Sequence, residues 1–245
     1  MWDCRTMLVA VLWGAVASSS FLIGGLLAVV RHPRPAWVAL GAGFGAGALI
    51  GAVAYELVDE AGAHAGRPFF VAGGLFAGAV LAGSVLAGRG GLRQAMADSA
   101  TGPPPVQHRF ATLLLAVASE VVVIVGALHG HGVSLAVIVA VFLCGIPEGA
   151  VATAVLREEG VRRRRVMQTW TALIGYGALV AVVAHLIVSS TAGNLVAVFL
   201  SLAAGVVLSD IVAHLVPTSY ARLGVLCALP VVAGFAWSVA LVGVG

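Results

Sequence analysis

Apolar residues in this chain do not alternate, nor do they recur along one helical face. They run on for long stretches, separated by short polar or glycine- and proline-rich breaks. A hydrocarbon core about 30 Å thick takes ~20 apolar residues of helix to cross. Eight segments meet or approach that length: Met7 to Val30, Trp37 to Val58, Pro68 to Ala87, Phe110 to Leu128, Val133 to Leu156, Thr169 to Val188, Leu195 to Val216 and Leu223 to Val242. The pattern predicts an all-α polytopic membrane protein with eight transmembrane helices.

Composition agrees. Of 245 residues, 61% are hydrophobic and 9% charged, where a soluble domain carries about 25% charged residues. No soluble domain is expected. Every one of the 13 Lys/Arg-type charges is an arginine, and their distribution sets an orientation. With the termini outside, loops 1, 3, 5 and 7 hold Arg31, Arg34, Arg89, Arg93, Arg109, Arg157, Arg162 to Arg165 and Arg222, leaving only Arg5 and Arg67 on the other side. Positive charge stays on the cytoplasmic side, so both termini are expected to be extracytoplasmic, in a multi-pass protein of the cytoplasmic membrane. The run Arg162 to Arg165 is then a topological signal and not a nucleic-acid patch; no nucleic-acid partner is expected, and the lipid bilayer is the large partner.

Three further features shape the reading. Ala15-Val16-Ala17 resembles a signal-peptidase site, but the apolar run continues to Val30, so an uncleaved first helix is expected. The connection 88–109 contains three consecutive prolines beside a glycine-rich flank, a cytoplasmic tether between helices 1 to 3 and helices 4 to 8. Cys4, Cys144 and Cys227 are widely separated and have no CxxC spacing, so neither a disulfide framework nor a thiolate zinc finger is indicated.

Chemistry concentrates on two acids that stand alone in apolar helices, Glu120 and Glu148. A charged side chain at the bilayer centre costs about 2.5–3.5 kcal/mol on insertion scales, so such residues face partners or a water-filled path. Pro147 precedes Glu148 and withdraws one backbone N–H, which frees the carbonyl of Leu143. Cys144 lies four residues before Glu148 and shares its helical face. Carboxylates with a thiolate or imidazole suit divalent transition metals, zinc above all, and the cation neutralises the buried acids. Two nearby glutamates can also hold one proton between them, which metal binding would release.

Other polar residues are secondary candidates. Glu56, Asp210 and His214 are candidates for a path or site, with Asp210 and His214 on one face of helix 7. Asp59 and Glu60 read as solvated cap residues, and His185 as a histidine satisfied by a neighbouring helix. His129 and His131 lie in a short outer loop, where they could gather metal at an entrance. Helix 2 also aligns with helix 7: GALIGAVAYELVDEA over GVVLSDIVAHLVPTS puts Gly47 on Gly205, Leu57 on Leu215 and Glu56 on His214. These helices cross in opposite directions, so the match suggests an inverted repeat of the kind that places substrate near the midplane.

With CGIPEG and AYELVDEA in view, the chain resembles the ZIP family of divalent-metal transporters, in a bacterial branch. The resemblance covers nearly the whole chain and implies one ZIP-like domain, 1–245. It also implies movement of zinc, or alternatively iron or manganese, toward the cytoplasm. Helices 1, 4, 5 and 6 would move against a scaffold of 2, 3, 7 and 8, in a homodimer. Glu148 matches the helix 5 motif glutamate, with Cys144 where the family usually has His and Gly145 where it has an acid or amide. Glu120 matches the helix 4 glutamate, with Ala116, Val117 and Ser119 in place of His, Asn and Pro. The implied metal set is Glu120, Glu148 and Cys144, with Glu56, His214 and Asp210 along the route.

The missing His and Asn equivalents motivate an alternative, a non-transporting ZIP-like metal sensor or assembly partner. An enzyme is not expected, because the chain lacks HExxH and GxSxG motifs. No prosthetic group is indicated; the metal is cargo.

Overall fold

The computed structural model of the chain describes residues 4–31, 34–87, 106–130, 135–191 and 193–242. Among these residues the protein is all helix. In chain order the helices are α1 (Cys4–Arg31), α2 (Pro35–Ala52, carried on by Val53–Leu57 and Val58–His64) and α3 (Pro68–Ala87), then α4 (Val106–Gly130), α5 (Leu135–Glu158) and α6 (Arg163–Ser190). They are followed by α7 (Asn194–Asp210, carried on by Ile211–Leu215 and Val216–Leu223) and α8 (Ala228–Val242), which begins after a 3-10 turn at Gly224–Cys227. Several helices outrun their apolar segments. Helix α6 starts at Arg163, six residues before Thr169, because arginine is a good helix former and adds a polar turn outside the apolar stretch. Most of the long connection, residues 88–105, lies outside the described residues, as does His131.

Seven helical runs among the described residues are long and apolar enough to cross a membrane. The last, Asn194–Leu241, has 48 residues, which at 1.5 Å each would make a rod about 72 Å long, over twice a bilayer core of about 30 Å. It is not a straight rod. Gly224 takes φ 57° and ψ −139°, a conformation that favours glycine, and the backbone breaks there.

Close helix approaches at glycine give the direction of each helix. Gly145 and Gly149 of α5 meet Ser20 and Phe21 of α1, and Gly24 of α1 meets Ile146 and Ala150, so α1 and α5 run parallel. Gly14 meets Ala181, while Gly25 meets Trp170, so α1 and α6 are antiparallel. Gly41 approaches Pro147 and Gly45 approaches Cys144, an antiparallel pairing of α2 with α5. Carried around the bundle through the α4–α6 and α4–α7 contacts, these directions alternate from helix to helix, and α8 runs opposite to α7. Small residues at the crossings allow backbone-to-backbone packing where no hydrophobic drive separates helix from lipid.

Two packings repeat each other. Gly47 of α2 meets Val231 and Phe235 of α8, and Gly205 of α7 meets Leu75 and Ala79 of α3. In return, Gly234 of α8 meets Phe44 and Ala48, and Gly78 of α3 meets Leu202 and Val206. The same register that lays Gly47 on Gly205 lays Phe44 on Leu202 and Ala48 on Val206. It also superposes two π-helical turns, Val53–Leu57 in α2 and Ile211–Leu215 in α7. Each turn is marked by the same widened bond, Val58 N–H to the Val53 carbonyl in α2 and Val216 N–H to the Ile211 carbonyl in α7, where Pro217 follows.

Candidate metal centre

Helices α4 and α5 bring the two lone glutamates together. Glu120, 4% exposed, projects from the middle of α4, where it follows Ser119, whose hydroxyl is spent on the Ala116 carbonyl 2.8 Å away. Cys144 and Glu148 lie one turn apart on α5, with the thiol 3.5 Å from the Glu148 Oε1 atom. One ligand atom from each of Glu120, Cys144 and Glu148 lies within 4.8 Å of the others.

The 3.5 Å contact between Cys144 and Glu148 matches two ligands of one small divalent ion, and Glu120 lies near enough to join them. With Zn–S about 2.3 Å and Zn–O about 2.0–2.2 Å, sulfur and oxygen on one tetrahedral zinc stand about 3.5–3.7 Å apart. Two carboxylates carry the charge needed to neutralise a dication, and the thiol adds a soft donor that zinc accepts readily. Three protein ligands leave a fourth position for water or for a ligand along a path.

Through Glu148 the centre borders a cavity of about 440 Å³ lined by α2, α4, α5, α6 and α7. Glu148 and Asp210 line it together with His214, Thr112 and Thr218, and it extends to Glu159 and Thr169 near the α5–α6 connection. Asp210 and His214 share a face of α7 as expected, with Nδ1 2.6 Å from Oδ1. The Asp210 carboxylate is within electrostatic reach of both Glu120 and Glu148, so α7 supplies a third acid beside the centre. Trp170 closes one wall. Its indole N–H donates to the Thr153 hydroxyl at 2.9 Å and its ring stacks on Phe21, which pins α6 to α5 and α1.

The absence of a side chain at Gly145 has a steric cause. A side chain at Gly145 would fall on Ser20, and Phe21 stands 3.1 Å from where its Cβ would lie, so α1 occupies the space an acid or amide would need. Ala116 lines the cavity.

Other candidates separate from the centre. Glu56 sits half-buried in the π-helical turn of α2 and belongs neither to the three-ligand cluster nor to the residues lining the cavity. Glu60 corrects the expectation of a solvated cap: it is 6% exposed and its carboxylate lies 3.3 Å from His64 Nδ1, because the last turns of α2 pack against α7 and α4. His185 is buried as an apolar-helix histidine would be, but the contact expected from a neighbouring helix is a ring contact with His129 of α4, while its Nε2 faces Ser189 of its own helix at 3.4 Å. The Thr153–Trp170 tie and Glu159 at the cavity mouth were not singled out in the sequence. Thr153 was the one visible signal, a hydroxyl inside an apolar stretch.

No protein-family model matches the chain, and comparison with curated proteins finds no match.

Proposed function

We propose that the protein is a secondary transporter of divalent transition-metal cations, zinc foremost, built as a ZIP-like bundle in the cytoplasmic membrane. The observation that carries this reading is the Glu120–Cys144–Glu148 cluster at a cavity inside an otherwise apolar bundle. A dication bound there neutralises two carboxylates that are expensive to hold in hydrocarbon, and three ligands hold it less tightly than a closed structural site. Asp210 and His214 offer the next donors along the cavity, and Glu159 marks its mouth.

Several features support the architecture of this reading. Alternating helix directions and the break at Gly224 favour eight crossings, with α7 and α8 as separate spans. The paired packings of α2 with α8 and α7 with α3, and their superposable π-helical turns, favour an inverted repeat. Arg157 and Arg162 to Arg165 stand at the end where the cavity opens, so the positive-inside rule makes that end cytoplasmic and the termini extracytoplasmic. The cavity is then inward-facing, in keeping with delivery toward the cytoplasm. A homodimer follows from the family resemblance alone.

Cobalt(II) tests the centre directly. Titrated into the purified protein, it should give a sulfur-to-cobalt charge-transfer band that disappears in Cys144→Ser and is absent from a Glu120→Ala, Glu148→Ala double variant. A band that survives the loss of Cys144 would contradict the assignment.

A further inference from the structure

A second group of metal-seeking side chains lies apart from the centre. His129 closes the last turn of α4 and His185 lies near the end of α6, and their ring centroids are 5.0 Å apart. Both rings turn the same atom to one point. His129 Nε2 is 3.3 Å from the Ser189 hydroxyl oxygen and His185 Nε2 is 3.4 Å from it. His185 is 3% exposed, His129 is half-buried and Ser189 faces outward, so the group has a buried floor and an open side.

The hydrogen bonds determine what His129 offers. Its Nδ1 lies 2.8 Å from the Val125 carbonyl, which can only accept, so Nδ1 carries the proton and Nε2 presents its lone pair toward Ser189. This is the arrangement in which histidines usually bind metal, with one nitrogen donating to a backbone carbonyl and the other ligating. The distances point the same way. An O–H···N contact of 3.3–3.4 Å is long for a hydrogen bond. Around a tetrahedral zinc with bonds of about 2.0–2.2 Å, however, nitrogen and oxygen ligands stand about 3.3–3.5 Å apart.

We infer that His129 and His185, with the Ser189 hydroxyl beside them, form a second transition-metal site at the end of the bundle opposite the cavity mouth. It is an imidazole site for Zn2+ or Cu2+ with positions open to water. Nine residues of α4 separate His129 from Glu120, about 14 Å along the helix, so the two sites do not share an ion. Imidazole without carboxylate carries no compensating charge, so the outer site holds a dication more weakly than the centre and exchanges it with solvent. The inference does not depend on transport: it concerns binding, and it stands if the protein moves no metal.

The alternative is a plain interhelical tie in which Ser189 bridges two neutral imidazoles. Electron paramagnetic resonance of Cu2+ separates the two. The full chain is purified in detergent with Glu120→Ala, Cys144→Ser and Glu148→Ala, which removes the centre, and is loaded with one equivalent of Cu2+. The expected spectrum shows hyperfine splitting from two imidazole nitrogens. That splitting falls to one nitrogen or none in His129→Ala, with apparent affinity lower by at least ~10-fold, and persists in His64→Ala and His214→Ala. His129 is half-buried at a helix end, so its removal spares the core, and His185→Gln serves as a second variant. A two-nitrogen spectrum that survives the loss of His129, or folded protein that gives none at all, would overturn the site.

Discussion

Glu56 and His214 occupy the fourth place of two five-residue π-helical turns, Val53–Leu57 and Ile211–Leu215, on helices that run in opposite directions. Turns of this kind widen the helix and re-aim a side chain, and they gather at functional sites. On α7 the result is an imidazole 2.6 Å from Asp210, both lining the cavity below the candidate centre.

This pair gives the first prediction. Asp210→Asn removes an anion beside Glu120 and Glu148 and leaves the His214 ring without its charged partner. The substitution keeps the shape of the side chain and its place on the same helix as His214, so the fold should survive. Initial zinc uptake is expected to fall roughly 5- to 150-fold, the range of a typical coupling energy between sites, and an uptake-rate assay on reconstituted protein reads it.

If Cys144 ligates the metal as proposed, its thiol sets metal preference. Cys144→Ser exchanges a soft donor for a harder oxygen, and soft ligands favour zinc whereas oxygen suits manganese. Zinc affinity should fall by at least ~10-fold while manganese affinity changes less, so competition between the two metals shifts toward manganese. Equal losses for both metals would show that the sulfur is not a ligand.

Thr153→Val tests the wall of the cavity. The substitution keeps the shape and takes away the acceptor of the Trp170 indole N–H, which is fully buried against Phe21. An unpaired buried donor costs about 1–3 kcal/mol, so thermal unfolding in detergent should occur at lower temperature. Cobalt binding at the centre should remain, since Thr153 is no ligand.

Gly145→Asp would place a third acid beside Cys144 and Glu148, and the structure predicts harm. The new side chain would meet Ser20 and Phe21 across the α1–α5 crossing. Overpacking of this kind costs typically about 1–3 kcal/mol, and a buried charge adds to it. Size-exclusion profiles and thermal stability should both deteriorate, with no gain in metal affinity.

Much of this arrangement could be read from the residues. Uninterrupted apolar runs gave the helices, and the isolation of Glu120 and Glu148 in such runs marked the acids, because hydrocarbon leaves an unpaired carboxylate so few tolerable places. The four-residue spacing of Cys144 and Glu148, and of Asp210 and His214, fixed which side chains share a face. What the residues did not disclose is contact between helices far apart in sequence. Nothing local in α7 announces that Asp210 approaches Glu120, and nothing in α4 or α6 announces that His129 meets His185 across 56 residues. Glu60 looked solvated because an acid at a helix end usually is; the packing of α2 against α7 buries it. Gly145 shows the reverse case, since its role as a contact surface for α1 appears only when the helices are assembled.

The central claim is that Glu120 and Glu148 carry a dication through the bundle, and zinc flux tests it most directly. Purified protein is reconstituted into vesicles that enclose a zinc-sensitive fluorophore, and uptake is followed for the native chain and for the Glu120→Ala, Glu148→Ala double variant, with iron and manganese as competitors. The account predicts zinc-dependent fluorescence for the native chain and background signal for the double variant. Equal uptake by both proteins would contradict it, and folded, inserted native protein that moves none of the three metals would leave the centre as a sensor or assembly site in place of a transport site.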